Sequence, residues 1–81
     1  MEYIARTPQQ LGQVLKSCRQ LRGLTQGAAG AKVGIKQGTI SEIEAHGAAV
    51  KVETLYKILS ALGLTLVLRD QTAPATRTRD W

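Results

Sequence analysis

The chain has 81 residues, and 11 Lys and Arg against 6 Asp and Glu give a formal charge of +5. That length makes one small domain, marginal on its own core, and one Cys with one His excludes an internal disulfide and a Cys/His zinc site. With no Phe and only Tyr3, Tyr56 and Trp81 as aromatics, the chain lacks the stacking platforms of single-stranded nucleic-acid binders, while a 43% apolar share separates it from disordered chains.

Thr7-Pro8-Gln9-Gln10 opens the first element. Thr can cap, Pro suits the first helical position, and Gln10 can reach back. Leu11, Val14, Leu15, Cys18 and Leu21 follow as one apolar face, which predicts a helix over 8–22 stopped by Gly23. Thr25 caps a second segment, Gln26 to Val33. Gly27 and Gly30 each weaken it by about 1 kcal/mol relative to Ala, so packing has to hold it. Gly34 ends it and turns the chain.

Ile35 and Ile40 have the spacing of a hydrophobic staple around a cap at Lys36. They predict a third helix from Gln37 to Ala45, with Ile40 and Ile43 inside and Gly47 as its stop. Lys36 is a poor capping residue, so this start is weak. Val52, Leu55, Ile58, Leu59 and Leu62 then make a further amphipathic helix, closed by Gly63.

Leu64, Leu66 and Leu68 alternate with Thr65, Val67 and Arg69, which is strand periodicity. This run is far too short to cross a bilayer. The opening Met-Glu-Tyr is no basic, apolar signal, so a cytoplasmic, non-membrane location is expected. A lone strand has no mate in its own chain, and unpaired backbone is costly. Pairing with the same strand of a second copy across a two-fold axis solves this, and a homodimer is expected. From Asp70 the pattern dissolves into a polar, Thr-rich stretch with Pro74. The expected division is a domain over 1–69 and a flexible tail over 70–81, ending in Trp81.

Two short helices joined through Gly34-Ile35-Lys36 have the form of a helix-turn-helix. Leu24-Thr25-Gln26, Val33-Gly34-Ile35-Lys36-Gln37, Thr39-Ile40-Ser41 and Ile43-Glu44 occur in that order. Over Leu11 to Leu64 the chain thereby resembles the Xre class of DNA-binding domains, the Cro and lambda repressor type. The resemblance implies an all-α, five-helix domain, here with the C-terminal strand added. It implies that Lys36, Gln37, Gly38, Thr39 and Ser41 contact bases and flanking phosphates of double-stranded DNA. Gln37 suits an adenine edge, Lys36 a guanine or a phosphate, and Gly38 leaves room for close approach. Gln26 matches the family glutamine that holds a phosphate. Arg19 and Glu44 match a structural ion pair. The family usually carries larger residues at Ala29 and Gly30, so looser packing is expected there.

Tyr3-Ile4 ahead of Thr7-Pro8-Gln9-Gln10-Leu11, the strand, the run Gly34-Ile35-Lys36-Gln37-x-Thr39-Ile40-Ser41 and a tail ending Asp80-Trp81 resemble the HipB-type antitoxins. That resemblance implies a dimer on palindromic operators of its own operon. It also implies a HipA-like serine/threonine kinase toxin as partner, with Trp81 as the partner-binding anchor.

Blander readings stand beside these. Cys18 reads as core rather than reactive thiol, and His46 as a carbonyl cap or phosphate contact rather than a metal ligand. Tyr56 reads as half-buried. Trp81 as a self-packed terminus is the alternative to an anchor. The rival functions are a stand-alone repressor without a toxin, and an interaction adaptor that keeps the fold but binds DNA poorly. No paired or triad-like groups point to an enzyme, and no cofactor or metal is implied.

Overall fold

A computed structural model describes residues 1–47 and 49–71; Trp81 and residues 72–80 of the expected tail lie outside the described residues. Four helices follow in chain order: α1 (Pro8–Leu21), α2 (Gln26–Ala31), α3 (Gln37–His46) and α4 (Val52–Ala61). Helix α3 packs against α1 and α2, and α2 also meets α4.

The start of α1 follows from its sequence, with one difference. Thr7 caps it, its hydroxyl accepting from the Gln10 backbone N–H at 3.1 Å. The Gln10 side chain reaches one residue further back than a capping box requires. Its Oε1 accepts from the Arg6 N–H at 2.7 Å, which ties the N-terminal segment to the helix. Thr25 caps α2 in the same way, accepting from the Ala28 N–H at 3.0 Å. Lys36 precedes α3 in extended backbone and makes no side-chain cap, as its chemistry predicts.

Leu15, Cys18, Ile40, Ile43, Ile58, Leu59 and Leu62 form the buried core, with Leu11, Leu24, Ile35 and Leu55 among the residues packed on it. Cys18 is fully enclosed, so it fills core space. Leu21, expected on the buried face of the first helix, is instead 70% exposed. It is the last residue of α1 and projects beyond the core, where it helps line an open groove. Val52, at the first position of α4, and Tyr56 one turn later are also largely exposed.

Glycines set the approach of the helices. A Cβ at Gly12 would stand 2.5 Å from the Ile43 carbonyl oxygen and 2.7 Å from that of Glu44, so α1 and α3 touch backbone to backbone. At Gly30 a Cβ would overlap the Ile35 carbonyl. Looser packing was expected at Ala29 and Gly30; both are buried, and Gly30 is the size the close approach of the turn demands. The Gly30 carbonyl also receives the Ile35 N–H at 2.9 Å, which closes the turn. Gly34 sits within that turn at φ +73°, in the left-handed region that side chains disfavour.

Two expectations are corrected. The described residues hold four helices, not five: α1 to α4 account for every helix ahead of residue 64, and no fifth stands among them. Residues 64–70 also form no strand. A strand exists by virtue of its ladder, and one copy of the chain supplies no mate. The segment runs alongside the N-terminal residues, held there by an Arg69–Glu2 ion pair. Its apolar side chains leave the body progressively, with Leu64 half-buried, Leu66 41% exposed and Leu68 89% exposed. No helix among the described residues is long and apolar enough to cross a membrane.

Candidate nucleic-acid interface

Helix α3 is anchored from below by Ile40, Ile43 and Glu44. With those positions inside, the N-terminal turn of the helix faces away from the core. Lys36, Gln37, Gly38 and Thr39 are exposed there, and Ser41 is half-buried one turn along. The structure thus brings five of the sequence-derived residues to one end of one helix. A Cβ at Gly38 would meet nothing within 4 Å, so no internal contact demands glycine at that position. The first backbone N–H groups of α3 point the same way. They form a positive helix end that begins at Lys36, and an anion is favoured there.

Beneath this surface lies a chain of polar contacts. Arg19 donates from Nε to Glu44 Oε2 at 2.6 Å and from Nη2 to Glu44 Oε1 at 3.0 Å. Its Nη1 donates to the Leu24 carbonyl at 2.7 Å. Gln26 Nε2 donates to Glu44 Oε1 at 3.0 Å, and Gln37 Nε2 donates to Gln26 Oε1 at 2.6 Å. The run goes from the buried ion pair, through the first residue of α2, to the first residue of α3. Among the described residues no buried side-chain nitrogen or oxygen lacks a partner.

The ion pair is nearly enclosed, with Glu44 5% and Arg19 8% exposed. Burial alone would raise the Glu44 pKa. The hydrogen bonds from Arg19 and Gln26, and the charges of Arg19 and Lys16, outweigh it and hold the carboxyl below its usual range. Arg19 is raised in turn, first by its hydrogen bond to Glu44. Glu44 is therefore an acceptor at every ordinary pH. Among the described residues no group of His, Cys, Asp and Glu has the arrangement of a metal site.

The resemblance brought Arg19 to Glu44 and assigned Gln26 a phosphate and Gln37 a base edge, each separately. It missed the hydrogen bonds that join all four, which span separations of 11 and 18 residues. It also missed Arg22, whose Nε donates to the Leu62 carbonyl at 3.0 Å and satisfies the end of α4. The only sequence signal for Arg22 was its place in the last turn of a helix, and that names no partner.

Two short helices turned at Gly34, the second with an exposed and uncapped N-terminus, define a helix-turn-helix protein. A family model described as Helix-turn-helix matches residues 15–68. The chain is 41% identical over 64 residues to Antitoxin HipB of Escherichia coli strain K12, covering 79% of this chain and 73% of that relative. It is equally similar to Antitoxin HipB of Escherichia coli O6:H1 strain CFT073, 41% over 64 residues and 68% of that relative. The chain belongs to the HipB antitoxin family.

Solved structures agree. A HipB variant in complex with an O2 20mer superposes with a TM-score of 0.82 at 36% identity, over 89% of this chain and 100% of that one. HipB in a HipA-HipB-O2-O3 complex gives 0.79 at 38% identity, again over 89% and 100%. A mutant restriction-modification controller protein gives 0.68 at 26% identity, over 72% of this chain and 77% of that one.

Proposed function

We propose that the chain is a sequence-specific DNA-binding repressor and the antitoxin of a HipA-like serine/threonine kinase, neutralising that toxin and repressing its own operon. The observation that carries the DNA reading is the exposed N-terminal turn of α3, with Lys36, Gln37, Gly38 and Thr39 presented together on a helix locked from beneath. Gln37 reads a base edge, Lys36 takes a phosphate or a guanine, and Thr39 and Ser41 contact bases or flanking phosphates. Gln26 keeps one amide N–H uncommitted after its bond to Glu44, and that N–H serves a phosphate. The kinase partner and the autoregulation are carried over from the HipB relatives and the HipA-HipB-O2-O3 complex.

The functional unit is a homodimer on a palindromic operator. The exposed Ile4, Leu21, Leu66, Val67 and Leu68 support it, since they crowd one end of the molecule around an open groove. The alternation over 64–69 then becomes a strand when a second copy brings its mate. Trp81, outside the described residues, is proposed as the toxin anchor. An enzyme is not proposed.

The test of the antitoxin reading uses the full chain and a HipA-type kinase from the same source. Kinase autophosphorylation should stop at equimolar chain, and a copy ending at Asp80 should need a higher concentration. Undiminished phosphorylation at saturating chain would leave a repressor without a toxin.

A further inference from the structure

Glu44 is half of a buried ion pair, and its direct contact with Gln26 gives it a second consequence. We propose that Glu44 is a positioning residue for base recognition: its carboxylate sets the direction of the Gln26 and Gln37 side-chain amides, and so selects adenine over guanine at the base that Gln37 reads. The inference rests on the DNA reading above and deepens it.

An ionised carboxylate has no hydrogen to give, and Glu44 is held ionised. The Gln26 atom facing it must therefore be the NH₂ group, which lies 3.0 Å away. That leaves the oxygen at the other corner of the Gln26 amide, and an oxygen only accepts. Gln37 must turn its own NH₂ group toward it, and Gln37 Nε2 does donate there at 2.6 Å. What Gln37 has left is one acceptor oxygen and one remaining N–H. Adenine offers a donor at N6 and an acceptor at N7 in the major groove, which fits both. Guanine offers two acceptors, O6 and N7, and the Gln37 oxygen would then face an acceptor.

Without Glu44 a glutamine amide has no preferred direction. It turns over at little cost and presents donors or an acceptor to suit the base. With Glu44 in place, turning Gln37 over requires turning Gln26, which sets an oxygen against a carboxylate. Arg19 contributes indirectly. Its two bonds to Glu44 keep the carboxylate charged and fixed in a nearly enclosed site.

The test is a binding selection of the full chain against a randomised duplex library. Gln37→Ala first identifies the base pair that this residue reads. At that pair the unaltered chain should prefer adenine over guanine on the order of tenfold. In Glu44→Gln the acceptor-only group is replaced by an amide that both gives and takes. The preference should fall to within about twofold while preferences elsewhere in the site persist. Gln26→Ala leaves the Arg19–Glu44 pair in place and cuts the connection to Gln37 together with the Gln26 phosphate contact. It should lower affinity overall and relax the same A-to-G ratio. A ratio unchanged in both variants would overturn the proposal and leave Glu44 a structural residue. If Gln37→Ala alters no position, the recognition reading itself fails and this inference fails with it.

Discussion

The two ends of this small domain are built on opposite terms. At the seam between α1, α2 and α3 everything is closed. Backbone meets backbone at Gly12, and Gly47 at φ +66° lies so near the Pro8 carbonyl that any Cβ would overlap it. The buried Arg19–Glu44 pair has all its bonds. At the other end the N-terminal residues and residues 64–71 leave leucines, Ile4 and Val67 in water around a groove. The closed seam is finished in one copy, so it can carry a recognition surface of fixed shape. The open end leaves its apolar side chains uncovered, and in the proposed dimer a second copy lies against them.

The largest effect is expected at the seam. Glu44→Ala strands the buried Arg19 charge and should lower stability by about 3–5 kcal/mol in a urea titration. Acid should act on the same pair. The folded-state pKa of Glu44 lies below the usual 4.5, so the unfolded chain takes up the proton first as pH falls. The contribution is full above the unfolded value and is lost as pH drops through the folded one. Stability should therefore be level from pH 7 to 5 and decline below it, and Glu44→Gln should flatten that decline.

The open end is tested by charge. Leu66 is 41% exposed in one copy and has about 1 kcal/mol of burial left to gain in the dimer; Leu66→Glu should remove that gain, set a carboxylate in the interface and leave the helices intact. Sedimentation would show monomer where the unaltered chain is dimeric, with the helical circular dichroism unchanged. If Leu66→Glu stays dimeric, residues 64–69 are not the interface.

The recognition surface comes next. Gln37→Ala should cost about 1–3 kcal/mol of discrimination at one base pair per half-site. Lys36→Ala should weaken binding across all sequences and reduce the salt slope by about one. The smallest effect is at the start of α1. Thr7→Ala removes a cap at the edge of the open groove, away from the recognition helix, and should destabilise by about 1 kcal/mol with no change in DNA preference.

Much of the seam was legible because its signals are local. Caps at Thr7 and Thr25 and the turn at Gly34 are short-range chemistry, and α1, α3 and α4 follow the apolar period. Local signals also mislead where tertiary contact decides. Gly30 reads as a helix weakness and an under-filled site, yet the Ile35 carbonyl needs that space. Leu21 keeps the period of α1 but lies past the end of the core. The strand over 64–69 was read from alternation, and alternation cannot make a ladder without a mate. The link from Glu44 through Gln26 to Gln37 was invisible, because amide direction depends on contacts between residues far apart in the chain.

The most direct single measurement is a selection of the full chain on a randomised duplex library, since it tests the closed seam and the open end at once. A preset recognition helix carried by a strand-paired dimer predicts two inverted copies of one half-site, their centres one helical turn apart, about 34–36 Å. A single half-site without its inverted copy would contradict the dimer built from the open end. No enrichment at all would contradict the reading of α3 as a DNA-recognition helix.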